Sequence, residues 1–440
     1  MELNSKEQFA ERFIRYASIC TQSAEGTADT PSTDSQRVLA GLLYQELLEM
    51  GADDVYYDEK HCYVYASLKG NIPPQEEFLP LVPPPKVGGV RENICPILGF
   101  VAHMDTSDAV SASEIHPRLI PAYTGEDIEL HQDPDIILSR RQFPELDDRI
   151  GETLIVTDGT SVLGGDDKAG ITQIMELFSF YLSHPEYPHG TLRLMFTPDE
   201  EVGNGILNMD PSRFSVDFGF TVDGSSVGEL EYENFNAASA RLRIRGLSTH
   251  PGDAKGKMRN AVLVGIRLAS MLPADQIPEK TAGYEGFFHL CSFEGTTDSA
   301  KLEILIRDHD RVQFERKKLL LSEIVRQLNT EYGEDCISLE MKDSYYNMAE
   351  KVLPHLHLIN TAAEAMKAAG VKMLQQPIRG GTDGCMLSFK GIPCPNLGTG
   401  AHQYHSRYEY VSADEMRKGT EILIRIVDQY ARYELIQTTE

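Results

Sequence analysis

The sequence has no cluster of basic residues, and its 41 Lys and Arg face 67 Asp and Glu, a formal net charge of −26. Phosphate backbones and anionic membrane surfaces therefore meet no attractive field, and no nucleic-acid partner is expected. Cysteine is scarce and scattered: seven residues, at 20, 62, 95, 291, 336, 385 and 394, an odd number with no C-x-x-C pair. That pattern builds neither a disulfide framework nor a thiolate metal cage, so any metal must be held by His and carboxylates. Long apolar runs are missing too. The longest are strand-length, such as 97–102, and the N-terminus MELNSKEQFAERF reads as a polar helix without a charged-then-apolar leader pattern. The expectation is a cytoplasmic protein that touches no membrane. No H-E-x-x-H, P-loop or G-x-G-x-x-G occurs, which sets aside single-zinc proteases, P-loop NTPases and dinucleotide-binding enzymes.

What is present is enough apolar material, 41% of 440 residues, for two hydrophobic cores. Helices are expected over 7–19 and 36–50, separated by a Ser/Thr/Gly-rich loop at 21–35, with strands near Val55 and Tyr63. The proline-rich stretch 71–91 reads as a long irregular connection. From residue 97 the texture repeats. A buried strand (97–102) ends in His103-Met104-Asp105, and a helix with apolar residues at Ile171, Ile174, Met175 and Phe178 follows Gly164-Gly165-Asp166-Asp167. Strand 191–196 ends in Pro198-Asp199-Glu200-Glu201, and strand 218–222 ends in Asp223. Strands alternating with helices predict an α/β fold with a mostly parallel sheet.

Around Asn236 the pattern becomes strictly alternating, with Arg241, Arg243 and Arg245 on one face and apolar residues on the other, as in a half-solvated strand. The order that follows, helix 260–271, strands 286–294 and 300–308, helix 312–331 and strand 337–342, is β-α-β-β-α-β, a ferredoxin-like α+β unit. It is placed at 235–346, inserted as a smaller domain between the two parts of the larger one, 1–234 and 347–440. A helix over 356–369 continues the larger domain, and Ser412 with Glu415 predicts a capping box opening the last helix.

The chemistry-bearing residues fall just after strand ends or at a helix N-terminus, where open α/β sheets place their sites. Alternation puts His103 and Asp105 on one side of an extended segment, so Asp105 can fix the tautomer of a metal-bound His103. Asp166 and Asp167 open a helix, where N-capping accounts for one carboxylate and a double glycine before two of them suggests more. Glu200-Glu201 can supply one carboxylate to a metal and one as general base. Asp223 is a turn residue or a ligand, and His402 and His405 share a Gly-rich aromatic loop in which one of the two can be a ligand. Together these residues can build two metal sites sharing a carboxylate. An oxygen-rich, thiolate-free set suits zinc, with manganese or cobalt acceptable. Two readings compete: a serine hydrolase using Ser226 in Gly224-Ser225-Ser226-Val227-Gly228, whose elbow requires a helix after the serine, and a metal-stabilised binding protein, against which Glu200 beside Glu201 argues.

These strings resemble the M20 metallopeptidases. The resemblance rests on His103-Met104-Asp105-Thr106, Gly165-Asp166-Asp167-Lys168, Thr197-Pro198-Asp199-Glu200-Glu201, Val222-Asp223-Gly224, His250-Pro251-Gly252 and Arg379-Gly380-Gly381-Thr382-Asp383-Gly384, and it runs from His103 to the C-terminus. It implies two zinc ions per chain, with His103, Asp166 and Asp223 on one and Asp166 bridging to a second held by Glu201 and His405. Tyr404-His405 followed by Glu409 fits the family's last motif, and His402 does not. Asp105 would orient His103, Glu200 would be the general base, and His250 of the smaller, lid-like domain would stabilise the oxyanion. That last role requires the domains to close over the peptide or a neighbouring copy in a homodimer to supply His250. Arg307, Arg379 and Asn260 are the candidates for holding the substrate. The implied substrates are short peptides, with release of the N-terminal residue from tripeptides; a dipeptidase, carboxypeptidase or amidohydrolase of the same fold is the alternative.

Overall fold

The computed structural model describes residues 3–27, 29–72, 95–110, 114–131 and 133–432. From residue 73 onward, the connection expected over 71–91 lies outside them. Two compact units emerge: Met1–Glu231 with Lys351–Gln375 and Thr382–Glu440, and Tyr232–Glu350 with Gln376–Gly381. The second differs from the expected 235–346 by a few residues at each end and by the added segment 376–381. Among the described residues no helix is long and apolar enough to cross a membrane, and none of the seven cysteines forms a disulfide.

The first unit is organised by a seven-stranded sheet. Its spatial order is Asp53–Asp58, Tyr63–Leu68, Leu192–Thr197, Leu98–His103, Phe218–Gly224, Asn396–Gly398 and Leu230–Glu231. The four strands from Leu192–Thr197 to Asn396–Gly398 run parallel, and antiparallel strands close both edges. Parallel strands covered on both faces need apolar residues throughout, which is why Leu98–His103 is buried along its whole length and shows no alternation. Helix Gly165–Ser183 lies on this sheet so closely that a Cβ added at Gly170 would come within 1.8 Å of the Val222 carbonyl oxygen. The same packing brings the start of the helix beside the C-terminal ends of the parallel strands.

For residues 106–163 the sequence pattern predicts no element. The structure places Arg118–Ile120 and Leu154–Val156 there, in a second sheet with Tyr410–Ser412 and Ala401–His402. Strands of two or three residues are too short to show a period. The capping box at the last helix, Ala413–Arg432, is only half formed. Ser412 Oγ accepts from Glu415 N at 3.1 Å, but the Glu415 carboxylate bonds His402 Nε2 at 2.6 Å and Arg149 at 2.5 Å. A buried imidazole and a guanidinium attract that carboxylate more strongly than a backbone amide does.

The second unit has a four-stranded antiparallel sheet, in the order Phe287–Gly295, Ser299–Asp308, Asn236–Arg245 and Ile337–Tyr345. Helices Ala261–Met271 and Arg311–Tyr332 pack against it around Leu242, Ile244, Leu268, Leu302 and Phe314. Arg241, Arg243 and Arg245 point to solvent between buried neighbours, so the strand is half-solvated as its alternation predicts.

Candidate metal centre

Four chain segments of the first unit converge on one cluster. Strand Leu98–His103 delivers His103 at its C-terminal end, the start of helix Gly165–Ser183 delivers Asp166, strand Phe218–Gly224 delivers Asp223, and the turn after Leu192–Thr197 delivers Glu200 and Glu201. The loop after Ala401–His402 adds His405, held at φ 55°. His103 Nε2 lies 2.8 Å from Asp166 Oδ1 and 3.4 Å from Asp223 Oδ1. On the other side, His405 Nε2 lies 3.3 Å from Asp166 Oδ2 and 2.9 Å from Glu201 Oε2. His103, Asp166 and Asp223, and separately Asp166, Glu201 and His405, each offer donor atoms within 4.8 Å of one another. Asp166 belongs to both groups, one carboxylate oxygen facing each.

Around this cluster a shell of carboxylates fixes the backbone. Asp105 sits behind His103, whose Nδ1 is 3.0 Å from the Asp105 carbonyl oxygen and 3.4 Å from Oδ1. Its carboxylate takes the amides of Glu200 and Glu201 at 3.0 and 3.1 Å, so Asp105 positions the acidic pair as well as the histidine. Glu409 accepts from the amides of Leu163, Gly164 and Asp166. Asp167 accepts from the amides of His103 and Gly170, and the Asp166–Asp167 peptide is cis. Asn396 accepts from Asp223 N at 3.1 Å and donates to Glu231 at 2.8 Å.

The protonation pattern is that of an acidic cluster short of positive charge. Burial, reinforced by repulsion from Asp166, pushes Glu201 up to about 7, and burial with the charges of Asp166 and Asp383 pushes Asp223 up to about 7. Glu200 is raised well above the carboxylate range by burial and by Asp223, Asp383 and Glu201. Hydrogen bonds to Asp166 and Glu201 raise His405 to about 11. His103 is raised despite its burial, by Asp223, Asp105 and Asp166, and the two histidines in turn lower Asp166. Glu201 Oε1 is buried with no hydrogen-bond partner. Crowded carboxylates, two imidazoles and an orphaned buried oxygen form a donor set that can hold divalent cations.

The chain matches the family model described as peptidase family M20/M25/M40 over residues 164–429. A protein named peptidase T from Clostridium novyi is 45% identical over 426 residues, 97% of this chain and 100% of that protein. The chain belongs to peptidase family M20/M25/M40. Among solved structures, a tripeptidase from Staphylococcus aureus superposes with a TM-score of 0.74 at 18% identity, covering 98% of this chain and 100% of that one. A Bacillus subtilis protein described as a dinuclear metal-binding peptidase of the M20 family gives 0.62 at 12% identity, covering 97% and 98%. Both carry the fold.

The Ser226 reading lacks its context, because the turn after Gly224 leads into strand Leu230–Glu231 and not into a helix. His402 is buried, bonded to Glu415 and stacked on Tyr410 at 4.8 Å. His250, Asn260, Arg307 and Arg379 lie in the second unit. His250 is exposed and its Nδ1 accepts from Gly252 N at 3.2 Å. Asn260 caps helix Ala261–Met271. Arg307 donates to the carbonyls of Ala238 and Ile306. The Arg379 guanidinium donates from Nη1 and Nη2 to the carbonyls of Thr281, Gly283 and Glu285.

Proposed function

We propose that this chain is a metallo-aminopeptidase that holds two divalent ions, zinc first among the candidates, and releases the N-terminal residue of tripeptides. The observation that carries the two-metal reading is Asp166, whose two oxygens face two separate His-and-carboxylate groups. Tripeptides as substrates are supported by the full-length likeness to a protein named peptidase T, and by the fold shared with a structure described as a tripeptidase.

In this reading His103, Asp166 and Asp223 hold one ion, and Asp166, Glu201 and His405 the other. When bound, two such ions polarise the scissile carbonyl and make water nucleophilic at neutral pH. Glu200 shares the turn with Glu201 but stands outside both donor groups, so its carboxylate takes a proton from the attacking water and returns it to the leaving amine. Asp105 holds that turn by two amides and backs the imidazole of His103. The acidic surroundings favour a substrate with a free α-amino group. His250 is assigned the oxyanion on the strength of the motif His250-Pro251-Gly252; a His250→Ala enzyme with wild-type kcat would remove that role.

Purified protein assayed on di-, tri- and tetrapeptides with free and blocked N-termini tests the reading. Tripeptides with a free amine should be cleaved fastest and their acylated forms not at all. Preferred hydrolysis of dipeptides, or equal hydrolysis of N-blocked substrates, would replace it with a dipeptidase or an amidohydrolase of the same fold.

A further inference from the structure

The turn that carries Glu200 is held from a part of the chain far away in sequence. Asp199, one residue before Glu200, is fully buried and has φ 55°, in the left-handed region that turns the chain before Glu200. Its carboxylate faces three donors and no cation among the described contacts: Ser32 N at 2.8 and 2.9 Å, Ser32 Oγ at 2.6 Å and Gln36 Nε2 at 2.7 Å. Gln36, itself fully buried, completes a reciprocal pair by accepting Asp199 N on its Oε1 at 3.2 Å. The same N-terminal region also fixes the other side of the site. Ser23 N donates to Thr106 O at 3.1 Å and Thr106 N to Thr21 O at 3.2 Å, immediately after Asp105, which holds the amides of Glu200 and Glu201. Thr33 Oγ1 donates to Gln22 O at 2.7 Å and ties the two stretches together.

We propose that Gln36 and Ser32 are positioning residues for Glu200, forming with Asp199 a clamp that sets where the general base stands relative to the ligand Glu201. The inference rests on the peptidase reading above. Adjacent carboxylates with different tasks need a backbone that sends them in different directions. Asp105 pins the two amides from one side, and the clamp fixes the preceding residue in its turned conformation from the other. Since Ser32 and Gln36 touch neither ligand groups nor Glu200 in any hydrogen bond described for them, their loss should blur the position of the base and leave the metals in place.

Gln36→Met keeps the volume and removes both bonds to Asp199; Ser32→Ala removes one donor, and Ser32→Thr keeps the hydroxyl as the conservative control. Each variant is measured for kcat and KM on a tripeptide, for bound metal by elemental analysis, and for amide hydrogen exchange over 198–205 in the metal-free protein. The proposal expects Gln36→Met to lose roughly 10-fold or more in kcat, with KM and metal content near wild type. Exchange over 198–205 should quicken while strand Leu192–Thr197 stays protected. Ser32→Ala should show a smaller loss that Ser32→Thr restores, and this pair decides the matter if Gln36→Met does not fold. Wild-type kcat in a folded, metal-loaded variant would overturn the proposal, as would a loss of kcat in proportion to lost metal. If the wild-type protein cleaves no peptide, the peptidase reading fails, and the clamp is still judged by exchange: unchanged protection over 198–205 in the variants overturns it.

Discussion

The proposed chemistry turns on the difference between two neighbouring glutamate residues. Glu201 has one oxygen 2.9 Å from His405 Nε2 and another buried without a partner, which is how a ligand looks, whereas Glu200 belongs to neither donor group. Glu200→Gln should therefore keep the metal content and lower turnover by about 10²-fold or more, the usual contribution of a general base. Glu201→Gln should instead lose metal. Equal metal content and equal rates in the two proteins would refute the division of labour. His103, Asp166, Glu200, Glu201 and Asp223 stand out in the sequence because each follows an apolar strand or opens a helix, whereas His405 is singled out from His402 only by the family's last motif. Of the residues that support them, Asp105 stands out by its alternation with His103, but partners distant in sequence do not. Nothing near Asp199 announces Ser32, which is 167 positions away. Asp383, which accepts from Thr197 Oγ1 at 2.6 Å, looks in the string Gly380-Gly381-Thr382-Asp383 like an ordinary turn residue. Arg379 donates to the backbone carbonyls of Thr281, Gly283 and Glu285, partners that the motif alone does not reveal.

Among the elements, the contact between helix Gly165–Ser183 and strand Phe218–Gly224 decides how Asp166 and Asp223 approach. An added Cβ at Gly170 would lie 1.8 Å from Val222 O and 2.4 Å from Asp167 Oδ1, so backbone must move to admit it. Gly170→Ala should destabilise the protein by about 1–3 kcal/mol, as overpacking does, and should weaken metal binding along with it. A chemical denaturation midpoint equal to wild type would show that the helix is not seated as described. The long elements were legible: helix Gln36–Met50 has the bounds its pattern predicts, and strand Asn236–Arg245 alternates as expected. The short strands Arg118–Ile120 and Leu154–Val156 were not, because three residues carry no period. The box at Ser412 and Glu415 is only half present for a different reason: a local motif cannot reveal that Arg149 and His402 compete for the Glu415 carboxylate.

For the molecule as a whole, a net charge of −26 and two compact units are properties that composition and length make visible. The addition of 376–381 to the second unit is a consequence of long-range pairing, such as Asn234 with Ile378, that no local pattern encodes. Everything proposed for the site requires that this acidic molecule work only as a two-metal enzyme. The decisive measurement is a zinc titration of metal-free protein, prepared with a chelator, in which tripeptide hydrolysis and bound metal are followed together. No activity is expected without metal, and a plateau at about two bound ions per chain, with Asp166→Asn retaining neither. Full hydrolysis by the metal-free protein, or full activity at a plateau of one bound ion per chain, would show that the two-metal reading is wrong; tight binding of both ions by Asp166→Asn would show that Asp166 is not the shared ligand.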